Sequence, residues 1–290
     1  MVRFDYRDNM KGALTFLMFI LLAHPSMGEE TSERDSLLQR VDEIKAMVDE
    51  KYWNSFYDVQ YSMPIYYHDE GAFTMHLEQN GRNAEARIDC SSPEITFKTI
   101  PSVTTIEQWL AMLLHECFHG FQYQHKDFWA SFVNAIPENF STNDSLVALK
   151  RYEWYNSLLS EEHELLRKAF SASSRKEAAQ LLTSLFAIRK SRLGLVKERL
   201  GLDIIRYYPL VETLEGSARY IEYCVSKELG VTDCEYMYNL NGNSYYYASG
   251  FILMLLLDRH GISYKDKLYS EYNTLEELIT SYYLDCLIGK

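Results

Sequence analysis

The 290-residue chain has no basic block, no internal repeat and no low-complexity linker. The first absence, with a formal net charge of -12 and a pI near 5.2, excludes nucleic acid as a partner, because phosphate binding needs concentrated Lys and Arg. Without repeats or linkers, and with 47% apolar side chains, the chain can bury a full core and reads as one large domain or two lobes around a cleft. No apolar run reaches the ~20 residues that span a bilayer. The run Ala13 to Ala23 follows Arg3, Arg7 and Lys11 and precedes the small residues Ser26 and Gly28, so residues 1–28 read as a signal peptide cleaved near Gly28-Glu29. Met10-Lys11 would itself make an ordinary start for such a leader. No lipid-attachment cysteine follows, so the expected product is an exported protein, residues 29–290, with no stable membrane insertion after cleavage. The five cysteines are an odd number, which leaves at least one unpaired or paired between chains; Cys224 with Cys234 is a candidate bridge, and Cys117 a core-facing thiol.

What is present is mostly helical periodicity. Residues 32–56 carry Leu37, Val41, Ile44 and Val48 at helical spacing. Across about 60–100 the period becomes two, with an Asn80-Gly81 turn signal, which predicts a small antiparallel sheet in which His68 and His76 read as packing or surface residues. A helix over about 104–124 starts at a Thr104/Glu107 capping box, with Pro101 just upstream. Patterns over 144–171 and 174–200, joined at Ser174 and Glu177, predict a helical hairpin about 144–200. Its charges, Glu161, Glu162, Glu164, Arg167, Lys168, Arg189, Lys190 and Arg192, read as solvated faces. Further helices are expected over about 209–228, 244–260 and 274–287. The expected class is α+β, predominantly α-helical, with the sheet ahead of the 104–124 helix and the hairpin inserted after it.

That helix contains His115-Glu116-Cys117-Phe118-His119, the pattern His-Glu-x-x-His. Residues four apart on a helix stand one above the other, so His115 and His119 can share one zinc ion. Ile106, Leu110, Leu113, Leu114, Phe118 and Phe121 form a core-facing stripe, and Gln108, Ala111, His115, His119 and Gln122 lie along another face. Glu116 is then the general base that takes a proton from water as it attacks a carbonyl.

A catalytic zinc usually takes a third protein ligand, and two residues compete for that place. Glu215 shares a face with Glu212 and Glu222, an acidic stripe costly to bury without a cation. His125, ten residues after His115, matches the metzincin spacing, with Met237 as a weak stand-in for the methionine turn. In a straight helix, however, His125 points about 80° away from His115, and the glycine that breaks the metzincin helix is here Gln122. Glu215 is the favoured ligand.

Leu214-Glu215-Gly216-Ser217-Ala218-Arg219-Tyr220-Ile221-Glu222 resembles the N-E-G-x-A-x-Y-x-E segment of the gluzincin metallopeptidases, the thermolysin-like and aminopeptidase-like zincins. The resemblance covers two short motifs and implies a zincin-like fold with His115, His119 and Glu215 on one zinc, Glu116 as base, and Glu222 behind the ligands or facing substrate. Leu214 replaces the usual Asn, and Arg219 stands where thermolysin-like enzymes carry an Asp. Gluzincins often supply a downstream Tyr or His beside the metal, which points to Tyr246 or Tyr247 as a catalytic donor. The expected function is an exported zinc metallopeptidase acting on peptides or proteins. Its rival is a zincin-like module with a structural or residual metal site that binds a partner without catalysis.

Overall fold

The computed structural model describes residues 27–56, 65–68, 72–79, 82–89, 105–138 and 140–283. Most of the expected signal peptide, the Asn80-Gly81 turn, Cys90 and Cys286 lie outside these residues. Among the described residues no helix is long and apolar enough to cross a membrane. Contacts divide the chain into two compact units, Met1–Gly120 and Phe121–Lys290, with the boundary inside one continuous helix.

The α+β expectation is corrected: the described residues are mostly helical. Backbone pairing over 65–89 amounts to three short antiparallel segments, β1 (Ile65–His68), β2 (Ala72–Gln79) and β3 (Arg82–Asp89). The three segments are short beside the helices that make up most of the described residues, so they do not set the class.

In the first unit, helix α1 (Met27–Lys51) buries Val41, Ile44 and Val48 at helical spacing. Trp53 and Phe56, just beyond it, pack on Phe118 of helix α2 (Ile106–Gln124), with centroids 4.8 and 5.9 Å away. The cap of α2 lies one residue later than the sequence suggests. Thr105 Oγ1 accepts from Gln108 N at 3.2 Å, and Gln108 Oε1 accepts from Thr105 N at 3.2 Å. Glu107 instead pairs with Arg40 of α1 at 2.9 Å, a partly exposed contact of small energetic weight.

In the second unit, α3 (Lys126–Ala135) and α4 (Thr142–Leu149) lead to the hairpin of α5 (Glu153–Ser171) and α6 (Arg175–Leu200). The long helix expected over 144–171 is thus two helices, separated at Lys150–Tyr152. Ser174 Oγ caps α6, and Gly201 closes it at φ 67°, a left-handed conformation suited to glycine.

The reading of the hairpin charges as solvated is corrected for three of them. Glu162, Arg189 and Arg192 are each no more than 2% exposed. Arg189 forks onto Glu212 at 2.7 and 2.8 Å and reaches Glu162 at 3.3 Å and Glu276 at 3.1 Å. Arg192 holds Glu162 through Nε and Nη2 and donates to Tyr155 Oη at 2.7 Å. Burial opposes the charge of Arg189, yet Glu212, Glu276 and Glu162 carry its pKa well above the ordinary value. The cause lies in the helical period. Glu162 falls on the same face as Tyr155, Leu159, Leu166 and Ala169, which are all buried.

Beside this network His163 is 5% exposed and its Nε2 has no partner. Burial, then the charges of Arg192, Arg167, Arg189 and Lys150, lowers its pKa to about 3.

Helices α7 (Tyr207–Glu228) and α8 (Tyr245–Arg259) are buried along nearly their whole lengths and cross backbone to backbone. A Cβ on Gly216 would run into Gly250 and lie 2.8 Å from Phe251 N, and one on Gly250 would strike the Glu212 carbonyl. Cys224 and Cys234 are buried but not bridged, so the expected disulfide is absent. Of the last expected helix, 274–287, the described residues form α9 (Leu275–Leu278), capped by Thr274 with Glu277 and continued by a π turn at Ile279–Tyr283; residues 284–287 lie outside the described residues.

Two outcomes follow from this packing. Gly250→Ala is expected to lower stability by about 1–3 kcal/mol or more, seen as a lower urea midpoint at unchanged m value, since neither backbone can yield. His163, whose folded pKa of about 3 lies below the unfolded ~6.5, contributes stability above pH 6.5 that is lost as the pH falls toward 3. The loss is up to about 1.4 kcal/mol per pH unit, and the proton uptake on unfolding that reports it is expected to disappear in His163→Leu.

Candidate metal centre

Helix α2 places His115 and His119 one turn apart, with ring centroids 4.9 Å apart and planes at 86°. Both are buried, at 5% and 4% exposure, and Glu215 of α7 is buried at 7%. One ligand atom from each of the three lies within 4.8 Å of the others. Donors sharing a tetrahedral ion at ~2.0–2.2 Å stand roughly 3.3–3.6 Å apart, a separation that side-chain rotations can reach from here. Two neutral imidazoles and one carboxylate suit a divalent cation, and the group could hold a metal ion. Glu116, between the two histidines in sequence, is half-buried, and its Oε2 has no hydrogen-bond partner.

The register of these helices depends on Gln122, three residues after His119. Its side chain is fully buried, and Nε2 lies 2.8 Å from the Leu214 carbonyl, 2.8 Å from Ser217 Oγ and 2.9 Å from Tyr269 Oη. Two N–H bonds shared among three oxygens tie the last turn of α2 to the residues on either side of Glu215. Ser217 in turn donates to the Thr213 carbonyl at 2.7 Å. Tyr269, 3% exposed, holds this position at φ 73°, a conformation that aromatic residues rarely adopt. The same Gln122 that denies the chain a metzincin glycine therefore anchors the helix carrying the histidines.

The acidic stripe on α7 is resolved residue by residue. Glu212 has Arg189 as its cation and also accepts from Ser249 Oγ. Glu222 accepts from Tyr236 Oη. Glu215 accepts a hydrogen bond from the Tyr247 hydroxyl, and burial followed by the Glu215 charge raises the pKa of Tyr247 well above that of a free tyrosine. Tyr246 is 2% exposed, and burial, then Glu215, raises its pKa as well. Tyr247 thus contacts the third member of the group, and Tyr246 lies near enough to feel its charge.

His125 does not join it. The chain leaves the helix at this residue, which precedes α3 with φ -78° and ψ 91°, and its ring packs on Phe121 at 4.8 Å and Tyr269 at 5.6 Å. Burial lowers its pKa. Met237, in the 3-10 turn Glu235–Tyr238, is fully buried. Arg219, at the position where an Asp is usual, stacks on the Tyr247 ring at 4.6 Å. Gln122, Ser217 and Tyr269 were not assigned a role from the sequence. The available signal was a polar amide on the histidine face of α2, at spacings of seven and three from His115 and His119.

No protein-family model, no curated protein and no solved structure matches this chain.

Loading with zinc is expected to reach one equivalent in the wild-type protein and in His125→Ala, and to fail in Glu215→Ala, as read by elemental analysis after gel filtration. Zinc should also raise the thermal midpoint of the wild type in a concentration-dependent way, and far less that of Glu215→Ala.

Proposed function

We propose that the protein is an exported zinc metallopeptidase that hydrolyses peptide bonds, with His115, His119 and Glu215 as metal ligands and Glu116 as general base. The observation that carries this reading is the convergence of those three buried donors from two helices far apart in sequence, beside an unpartnered carboxylate oxygen. A bound zinc ion would supply Lewis acidity, lowering the pKa of water and polarising a carbonyl. Zinc is preferred over harder cations because two of the three donors are imidazoles.

Around it, the chain's own residues divide the work. Glu116 takes a proton from the attacking water and returns it to the departing amine nitrogen. Tyr247 donates to Glu215 and so holds that carboxylate in place. With the Tyr247 hydroxyl so engaged, Tyr246 is the donor left to stabilise negative charge on the substrate carbonyl oxygen. The leader-like residues 1–28 support export.

Glu116→Gln is expected to keep one equivalent of zinc and to lose peptide hydrolysis by about 10²- to 10⁴-fold, measured on a peptide library by mass spectrometry. Retained turnover would remove Glu116 as the base. A chelation-insensitive binding partner, with no cleavage of any peptide by the zinc-loaded wild type, would support the non-catalytic module instead.

A further inference from the structure

Arg219 stands one turn after Glu215 on α7, with ~5–6 Å expected between their Cβ atoms. Its guanidinium lies 4.6 Å from the Tyr247 ring centre and 6.0 Å from that of Tyr236. Its Nε is buried without a hydrogen-bond partner, while the side chain as a whole keeps partial access to solvent. The two carboxylates closest to it along the helix do not neutralise it. Glu215 is hydrogen-bonded by Tyr247 and Glu222 by Tyr236, so the same two tyrosines that flank the arginine engage its potential partners.

A guanidinium stacked on aromatic faces keeps its N–H groups in its own plane, directed outward past the rings. A planar carboxylate matches that edge with two parallel hydrogen bonds. Tyr236, 47% exposed, leaves one side of the arrangement open to solvent. Among the described residues Arg219 makes no ion pair, and a charge-assisted donor left unmatched is costly unless a ligand completes it.

We propose that Arg219 binds a carboxylate of the substrate, edge-on beside Tyr247 and Tyr236, one helical turn from Glu215. The substrate class is then peptides bearing a carboxylate close to the scissile bond, either the C-terminal α-carboxylate or an Asp or Glu side chain. Where cleavage falls relative to that group rests on the metallopeptidase reading; the binding of the carboxylate does not.

The test has two readouts. Calorimetry with the full-length protein, zinc-loaded and chelator-treated, compares N-acetylphenylalanine with its amide and with N-acetylglutamic acid α-amide, whose side-chain carboxylate is free. The acid is expected to bind about 10- to 100-fold more tightly than the amide in both metal states, with the preference lost in Arg219→Gln at unchanged zinc content. Tight binding of the glutamic acid α-amide would assign the site to side-chain carboxylates, and weak binding would assign it to C termini. Equal affinity for acid and amide, or a preference that survives Arg219→Gln and vanishes on chelation, would overturn the proposal. The second readout is cleavage of matched peptides with free, amidated and acidic-side-chain ends. Loss of carboxylate selectivity in kcat/KM is expected in Arg219→Gln. Absence of all cleavage alongside an Arg219-dependent binding preference would reject the peptidase reading and keep the carboxylate site.

Discussion

Three carboxylates buried on one helix set the terms for the rest of this molecule. Glu212, Glu215 and Glu222 occupy α7 at spacings of three and seven, and each is under 8% exposed. An isolated buried carboxylate costs several kcal/mol unless it is paired or hydrogen-bonded. The structure meets each one differently. Glu212 takes the bidentate fork of Arg189, Glu222 takes a tyrosine hydroxyl, and Glu215 takes the Tyr247 hydroxyl in the company of two imidazoles. Where the partner is an arginine the carboxylate is structural, and where it stands with two imidazoles the group could hold a metal ion.

The position of Glu215 is fixed from both sides along the chain. Its predecessor offers a carbonyl to Gln122 at 2.8 Å, and its successor, Gly216, meets Gly250 with no room for a side chain. Backbone contact of this kind resists sliding, because a register shift would bring a side chain into a space sized for hydrogen. The start of α8 follows from the same crossing, and with it Tyr247 comes to lie against Glu215 and Tyr246 near it.

Local periodicity made much of this legible before any coordinates. His115 and His119 share a face because the helix turns every 3.6 residues, and Glu215 stood out with Glu212 and Glu222 as an acidic stripe along one helix face. The helix boundaries at Ser174, Gly201 and Thr274 are written in capping residues. The failures have a common origin in contacts between residues distant along the chain. Glu162, Arg189 and Arg192 looked solvated because they were judged by residue type, although the phase of Tyr155, Leu159 and Leu166 already placed Glu162 inside. Gln122 and Tyr269 are 147 residues apart, and no spacing rule joins them. The stretch of alternating residues over 65–89 suggested a class that three short strands beside so many long helices do not support. The thiols of Cys224 and Cys234 were near in sequence yet remain separate.

The buried ion network draws its members from four helices: Glu162 from α5, Arg189 and Arg192 from α6, Glu212 from α7 and Glu276 from α9. Three acids face two arginines, and Glu276, at 27% exposure, is the acid with the most access to water. Such a cluster cannot be dismantled one member at a time without stranding a charge. Over evolutionary time these positions are therefore bound to change together: a descendant that dispenses with Arg189 must find an uncharged replacement for Glu212 in the same step or shortly after, and the pattern of paired exchange across divergent copies would trace the inner wall of the fold.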